Sequence, residues 1–240
     1  MINKELYKRI NEKFVKAFAT YRLLEDDDKV LVGLSGGKDS LCLLELLAKR
    51  AAISHPNFKV EAVHVRMANI SYETSTDYLR RFCDELNVPI HVVTTSFDAS
   101  TDTRKHPCFL CSWNRRKKMF ELAQQLGCNK IALGHHQDDL LHTSSMNLLF
   151  QGRFGTMPAR LSFRKMPLTI IRPLCMVPEA DIKLYAEMRG YEQQIKCCPY
   201  DKATNRTEIR HLMEQVEQMN PEARHSLWNA LVREGKLIEE

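Results

Sequence analysis

The 240-residue sequence lacks any uninterrupted apolar run of about eighteen residues, the length that a membrane-spanning helix requires. Its first residues, MINKELYKRINEKFVKAF, carry charge throughout and do not contain the continuous apolar segment of a secretory signal. Internal repeats and low-complexity linkers are also missing. At 44% hydrophobic and 27% charged residues the chain has enough apolar material for an ordinary core. We therefore expect a soluble, cytoplasmic protein with no membrane partner.

Two stretches of the sequence contain no acidic residue, namely 103–120 and 140–178. Their basic residues are Arg104, Lys105, Arg115, Arg116, Lys117 and Lys118 in the first stretch and Arg153, Arg160, Arg164, Lys165 and Arg172 in the second. The net charge of +5 is too small to identify a partner, so the distribution of charge matters more. A solvated helix face would explain either stretch alone. The two together favour a surface that binds a polyanion.

The apolar pattern predicts an α/β fold. Leu6, Ile10, Phe14 and Tyr21 recur at helical spacing and predict an amphipathic first helix with a basic outer face. Strands are predicted near 29–34, 59–65, 90–95 and 129–134, and helices near 38–53, 73–87, 112–127 and 137–149. This alternation predicts a parallel sheet with helices on both faces. Further predicted elements are a hairpin at 161–165 and 168–172, a helix at 179–190, and a helix from 221 to about 237 in a helical C-terminal appendage.

A glycine-rich turn, SGGKDS, follows the first predicted strand and opens the next helix. It differs from a kinase-type loop because Val32 stands where that loop has its first glycine and Asp39 follows Lys38. Backbone N–H groups at a helix N-terminus attract anions, and Asp39 fits this setting if it orients a magnesium ion. The alternative is a structural turn capped by Ser35. The candidate nucleotide-binding residues here are Ser35, Gly36, Gly37, Lys38, Asp39 and Ser40.

Ligands of open parallel sheets bind beyond the carboxyl ends of the strands, where this sequence concentrates polar residues. The second strand ends near His64, and the fourth leads into GHHQDD, which starts at Gly134. His64, Gly134 and His135 join the nucleotide-binding candidates. Asp138 or Asp139 is a candidate to hold magnesium or to take a proton. We expect His135 and His136 to orient neighbouring groups rather than act as bases.

The eight cysteines fall into two groups. Cys42, Cys83, Cys128 and Cys175 lie in apolar segments and are predicted to be core residues. Cys108 and Cys111 are predicted to lie in a polar loop beside cations, and Cys197 and Cys198 follow later. Cysteines at the spacing of Cys108 and Cys111 can chelate a metal, form a redox pair or simply pack. Four thiolates would close a zinc site, whereas three would suit an iron-sulfur cluster or a metal with an open position. Adjacent cysteines seldom both reach one metal, so three ligands are favoured.

These motifs together resemble a known family. SGGKDS after a strand resembles the pyrophosphate loop of the ATP-pyrophosphatase (PP-loop) superfamily, whose members adenylate a substrate oxygen and release pyrophosphate. With CFLCSWNRRKKMF, LGHHQDD, the GTMP segment and IIRPL, the sequence from about 20 to 215 is similar to the iron-sulfur tRNA 2-thiocytidine synthetases. The resemblance implies a Rossmann-like, adenine nucleotide alpha-hydrolase-like fold. It implies a basic N-terminal helix at 1–22, an ATP-binding domain with a CxxC insertion at 23–175 and a helical region at 176–240.

The resemblance also implies cofactors and residue roles. ATP, Mg²⁺ and a 4Fe-4S cluster are expected, with zinc as the alternative metal. Cys108 and Cys111 match two cluster ligands, and the third, from the C-terminal region, is Cys198 with Cys197 as the fallback. Arg115, about one helical turn after Cys111, would bridge cluster and nucleotide. Of the two aspartates, the resemblance favours Asp139 over Asp138 as the catalytic one.

The implied activity is ATP-dependent thiolation of a cytidine in tRNA. The expected partners are tRNA, a sulfur donor such as a cysteine desulfurase, and a second copy of the chain in a homodimer. The target base must leave its stack to reach such a site, and Arg153, Arg160, Arg164 and the first helix are candidates for the phosphate contacts. Two alternatives remain open: a related enzyme with another tRNA base or a small molecule as acceptor, and a nucleotide-binding iron-sulfur or zinc protein without turnover.

Overall fold

A computed structural model describes residues 2–53, 55–72, 75–98, 107–193, 195–197 and 205–240. The helices are α1 (Ile2–Tyr21), α2 (Lys38–Ala51), α3 (Asp77–Glu85), α4 (Pro107–Gln125), α5 (Gln137–Gln151), α6 (Glu179–Arg189), α7 (Asn205–Met219) and α8 (Ala223–Arg233). The strands are β1 (Lys29–Gly33), β2 (Lys59–Met67), β3 (Ser71–Tyr72), β4 (Ile90–Thr95), β5 (Lys130–Ala132), β6 (Arg160–Ser162), β7 (Thr169–Ile171), β8 (Lys196–Cys197) and β9 (Ile238–Glu239). None of the described helices combines the length and apolarity needed to cross a bilayer.

The chain forms two compact units. The sheet unit comprises Leu24–Gly134 and Ile182–Asp201, and the hairpin unit comprises Met1–Leu23, His135–Asp181 and Lys202–Glu240.

The sheet unit contains four parallel strands in the order β4-β2-β1-β5. The helices α2, α3 and α4 lie between successive strands in the sequence. Three consecutive residues of β1, Val30, Leu31 and Val32, are fully buried. Because neighbouring side chains of a strand point to opposite faces, both faces of the sheet at β1 must be covered. The predicted α/β fold with a parallel sheet is confirmed.

The hairpin unit contains the antiparallel pair β6 and β7, with Leu161 opposite Ile170, and β9 runs parallel to β6. Its helix α1 buries Leu6, Ile10, Phe14, Ala17 and Tyr21 along one stripe, as the helical spacing predicted. On another side of α1, the Arg9 guanidinium donates to the Asp181 carboxylate at 2.6 and 3.1 Å. The predicted first helix and hairpin are therefore confirmed.

The predicted start of α4 was wrong. The helix begins at Pro107 instead of residue 112, so Cys108 and Cys111 lie in its first turns and not in a loop. Proline suits the first position of a helix, where its missing N–H would be unpaired and its fixed φ is already helical. The predicted helix over 221–237 was also too long. It is α8, which ends at Arg233 before Gly235 adopts a left-handed φ of 63°.

A buried carboxylate organises one side of the sheet unit. Glu45 on α2 is fully buried, and its Oε1 accepts hydrogen bonds from Lys49 Nζ at 2.5 Å and the Tyr185 hydroxyl at 2.9 Å. Its Oε2 accepts from Arg189 Nε at 3.1 Å and the Tyr191 hydroxyl at 2.6 Å. Burial by itself would raise the pKa of Glu45, but the hydrogen bonds from Lys49 and Tyr191 outweigh it and hold that pKa below its ordinary value.

We expect Glu45→Ala to lower the free energy of unfolding by about 3 kcal/mol, because it leaves the buried Tyr185 hydroxyl and the partly buried Tyr191 hydroxyl without their acceptor. The lowered pKa means that the carboxylate stabilises the fold above its ordinary pKa of about 4.3, and that this stabilisation is lost as the pH falls through the lower folded-state value. Urea unfolding at neutral pH and at acid pH measures both effects. Lys8→Ala is the control, since the Lys8 side chain is 76% exposed in a surface pair with Glu12 and its loss should cost about 1 kcal/mol or less. Equal unfolding midpoints for the wild type and Glu45→Ala at neutral pH would contradict the prediction.

Candidate nucleotide and sulfur-transfer site

The SGGKDS segment, residues 35–40, connects β1 to the start of α2, and we call it the glycine loop. Hydrogen bonds of its two serines stabilise its conformation. Gly36 has a left-handed φ of 83°, which favours glycine. The Ser40 hydroxyl accepts from Gly36 N at 3.2 Å and from Ser35 Oγ at 3.1 Å, and it donates to Gly37 O at 2.9 Å. Ser35 Oγ in turn accepts from Gly37 N at 3.3 Å. The two hydroxyls thus fix the shape of the loop in addition to being candidates for phosphate contacts.

Lys38 and Asp39 stand together at the first two positions of α2. Lys38 Nζ lies 3.0 and 3.1 Å from the two carboxylate oxygens of Asp39. The N-cap of α2 is Gly37, which has no side chain to accept hydrogen bonds from the first N–H groups of the helix. A cation, a carboxylate and a helix N-terminus at one place have the chemistry to hold a phosphate together with its magnesium ion.

Gly134, which follows β5, packs directly against the start of α2. A Cβ built at Gly134 would lie 3.1 Å from the carbonyl carbon and oxygen of Asp39 and 3.1 Å from Ser40 N. All three are backbone atoms, so no flexible side chain could move aside. The close approach to the start of α2 therefore favours glycine at this position.

His64 is buried within β2, three residues before the strand ends at Met67, and its Nδ1 lies 2.7 Å from the carbonyl oxygen of Leu34. A carbonyl only accepts, so Nδ1 carries the proton in this contact. The backbone N–H of Leu34 also donates to Val63 O at 2.8 Å. His64 therefore supports the residue that leads from β1 into the glycine loop.

The HHQDD segment of the hairpin unit forms the N-terminus of α5. His136 is the N-cap, and its backbone N–H donates to Asp139 Oδ2 at 3.1 Å, as part of a capping box. Asp139 Oδ1 accepts from Arg206 Nη2 at 2.7 Å. The Arg206 side chain is 50% exposed, so a ligand could displace it from Asp139 at small cost.

Asp138 is more firmly held than Asp139. Its Oδ2 accepts from the backbone N–H of Glu179 at 2.7 Å, and its Oδ1 accepts from Arg224 Nη2 at 2.7 Å. Burial by itself would raise the pKa of Asp138, but these hydrogen bonds and the charge of Arg224 lower it below the ordinary value. Asp138 thus joins the start of α5 to α6 and α8 within the hairpin unit.

His135 is held by a buried arginine. Arg172 Nε donates to His135 Nδ1 at 3.2 Å, and the same guanidinium donates to the carbonyl of Pro158. Burial, followed by the charge of Arg172, lowers the pKa of His135 to about 4. His135 is therefore neutral at pH 7, which suits an orienting role.

Sequence reasoning missed Arg172, Arg206 and Arg224 as partners of the HHQDD segment, because their contacts span 37 to 86 positions.

Cys108 and Cys111 lie one turn apart on α4. Cys108 is exposed, whereas Cys111 is partly buried against the apolar cluster of Met67, Ile70 and Phe97. Arg115 follows Cys111 after one further turn of the same helix, as predicted from its spacing.

The two candidates for the third cluster ligand, Cys198 and Cys197, lie at the edge of a gap in the described residues. Cys198 lies outside the described residues, and for Cys197 the structure gives only a backbone pairing with Ser71 across β3 and β8. Among the described residues, no group of three or more Cys, His, Asp or Glu side chains is placed to hold a metal. The four cysteines predicted to be core residues are all buried, namely Cys42, Cys83, Cys128 and Cys175.

The predicted phosphate-binding arginines make contacts within the hairpin unit. Arg160 pairs with the Glu240 carboxylate, and the Arg164 guanidinium donates to the Glu240 backbone oxygen at 3.2 and 3.3 Å. Arg153 is exposed, and Arg104 and Lys105 lie outside the described residues.

Comparison with known proteins places this chain in a family. A model of the PP-loop domain family matches residues 6–217. The tRNA-cytidine(32) 2-sulfurtransferase of Bordetella bronchiseptica is 36% identical over 241 aligned positions, which cover 95% of this chain and 72% of that protein. The protein of the same name from Paraburkholderia xenovorans is 33% identical, with 95% and 69% coverage.

A solved structure is similar as well. The U34-tRNA thiolase NcsA from Methanococcus maripaludis, with its 4Fe-4S cluster, matches with a TM-score of 0.79 at 27% identity and covers 96% of this chain and 79% of that one. With the braced glycine loop and the paired thiols of α4, these matches show that the chain belongs to the PP-loop family and, within it, to the tRNA sulfurtransferase enzymes.

Proposed function

We propose that the chain uses ATP to adenylate the carbonyl oxygen of a cytidine in tRNA and then exchanges that oxygen for sulfur. The observation that carries the proposal is the glycine loop, with Gly36 in a left-handed conformation and Lys38 and Asp39 opening α2. The names of the relatives support tRNA cytidine as the acceptor.

In the first step the cytosine oxygen attacks the α-phosphorus of ATP. The bond from that phosphorus to the bridging oxygen breaks, and pyrophosphate leaves with the electron pair. The N–H groups at the start of α2 and the Lys38 ammonium stabilise the negative charge that develops on pyrophosphate. The Asp39 carboxylate, next to Lys38, is the candidate to orient the magnesium ion.

Asp139 is our candidate for the second acidic role, magnesium binding or proton transfer. One of its oxygens caps α5, and the other contacts a half-exposed arginine that a substrate can displace. Asp138 is less suitable, because two strong hydrogen bonds and a lowered pKa commit it to holding α5 in place. His135 is assigned to orientation of the bound nucleotide.

The thiols of α4 fit a soft metal centre. Cys108 and Cys111 project from successive turns of one helix, and thiolate ligands suit a 4Fe-4S cluster or zinc. A cluster held by these thiolates would supply sulfur at the oxidation level of sulfide, and exchange of that sulfur for the adenylated oxygen would break the carbon–oxygen bond and release AMP. We propose Cys198 as the third ligand, with Cys197 as the fallback, and Arg115 as the link towards the nucleotide.

The test is mass spectrometry of nucleosides from the tRNA of cells that lack this protein. We expect a thiolated cytidine to be lost, to return with the wild-type chain, and to stay at least about a hundredfold lower with Lys38→Ala, because the developing pyrophosphate charge then lacks its cation. Release of pyrophosphate by the purified chain should depend on added tRNA. An unchanged set of thiolated nucleosides would overturn the tRNA assignment and favour a small-molecule acceptor.

A further inference from the structure

The exposed side of α4 carries two large aromatic rings next to two cations. Phe109 and Trp113 are 45% and 48% exposed, one turn apart. Arg116 and Lys117 are exposed on the next turn, and Cys108 is exposed on the turn before. We name Phe109, Trp113, Arg116 and Lys117 the α4 outer face. It lies on the helix that bears both candidate cluster ligands.

The charge around these rings has one sign. From Pro107 to Phe120 the helix contains no acidic residue, and residues 115–118 are four consecutive cations. The Lys117 ammonium lies 5.5 Å from the centroid of the Trp113 ring, a cation–π distance that orients the indole. Within the described part of the chain, no carboxylate pairs with Arg116 or Lys117. The α4 outer face therefore suits a partner that is both aromatic and anionic.

We propose that the α4 outer face is a stacking platform for an unpaired nucleobase of RNA, with Arg116 and Lys117 contacting the adjacent phosphates. The proposal rests on the proposed function, because it assigns the RNA substrate a contact on the side of α4 that is turned away from Cys111. Proteins that recognise single-stranded RNA stack its bases on aromatic rings and hold its backbone with cations. Lys117 lies over one face of the indole, and a base stacks on the other.

A second copy of the chain would be a poorer occupant of this surface. A two-fold contact brings the same patch of each copy together. It would place the four cations of one α4 against the four of the other, with no acidic residue of the helix to compensate. An RNA strand instead brings one negative charge with each nucleotide.

The experiment uses the fluorescence of Trp113 in the full chain. The sequence has two tryptophans, so Trp228→Phe leaves Trp113 as the sole indole. We expect a single-stranded oligocytidine to quench this fluorescence to saturation. The matched oligomer with abasic sugars, which keeps the phosphates, should bind without comparable quenching. The fluorescence measurement needs neither ATP nor turnover. Quenching can therefore be absent even if the chain thiolates tRNA, and it can be observed even if tRNA thiolation is disproved.

Substitutions in the α4 outer face distinguish the contribution of base stacking to RNA affinity from the contribution of charge. Trp113→Ala should weaken oligocytidine binding about tenfold without changing its salt dependence, whereas Trp113→Tyr should retain most of the affinity. Arg116→Ala should reduce the slope of log affinity against log salt by about 0.7. Equal quenching by the abasic oligomer, or unchanged affinity in Trp113→Ala, would overturn the proposal. Quenching that depends on protein concentration without RNA would assign the face to self-association instead.

Discussion

We expect Cys108→Ser to abolish thiolation of tRNA while leaving tRNA-dependent release of pyrophosphate in place. Serine keeps the size of the side chain but replaces a thiolate, the ligand that soft metal centres require, with a hydroxyl. The glycine loop is built from β1 and α2 and contains no residue of α4, so adenylation should persist. The measurements are thiocytidine per tRNA, pyrophosphate released, and iron and zinc per chain after anaerobic purification.

Cys128→Ala is the matched control for that variant. Cys128 is buried, and burial, followed by the charge of Glu61, raises the pKa of its thiol to about 11, so it is not a thiolate at neutral pH. Its removal should leave iron content and thiolation unchanged. Thiolation at the wild-type level in Cys108→Ser would remove the paired thiols from the mechanism, and stoichiometric zinc without iron in the wild type would remove the cluster.

Gly134→Ala is the second variant, for which we expect a fall of about tenfold in tRNA-dependent pyrophosphate release. The added Cβ would lie 3.1 Å from backbone atoms of Asp39 and Ser40, closer than an ordinary contact, so the start of α2 must shift by a few tenths of an ångström. Rates depend steeply on the position of reactive groups, so even this small shift of the proposed phosphate-binding helix terminus should slow adenylation. Both thiolation and pyrophosphate release should fall together, in contrast to Cys108→Ser.

The control for Gly134→Ala is Gly155→Ala, because a Cβ at Gly155 would have no atom within 4 Å. Urea unfolding of both variants distinguishes a displaced loop from a lost fold. Wild-type rates of pyrophosphate release in a folded Gly134→Ala chain would show that α2 tolerates the shift, and would contradict the close-approach argument.

Patterns of neighbouring residues were sufficient to predict the order of the first strand, the glycine loop and the second helix. The order of β1, the SGGKDS loop and α2 follows from an apolar run, two glycines and an amphipathic segment, and the structure agrees with it. The start of α4 was misplaced because Pro107 was interpreted as a loop residue, although proline is common at the first position of a helix.

Contacts between distant residues could not be predicted in the same way. Arg224 reaches Asp138 across 86 positions, and Arg206 reaches Asp139 across 67. No periodicity or motif connects such residues, because their pairing depends on how α5, α7 and α8 pack. The motif therefore identified the two aspartates, and the family resemblance favoured Asp139, but neither could show that Asp138 is firmly held by Arg224 and Glu179.

The unequal exposure of the two α4 thiols gives them unequal chemical vulnerability. Cys111 is sheltered by Met67, Ile70 and Phe97, whereas Cys108 is open to solvent. An electrophile or oxidant in the medium meets Cys108 first, so damage to the pair should begin as a single modification at that sulfur. Cys111 should then be modified later than Cys108, because the apolar cluster covers part of its side chain.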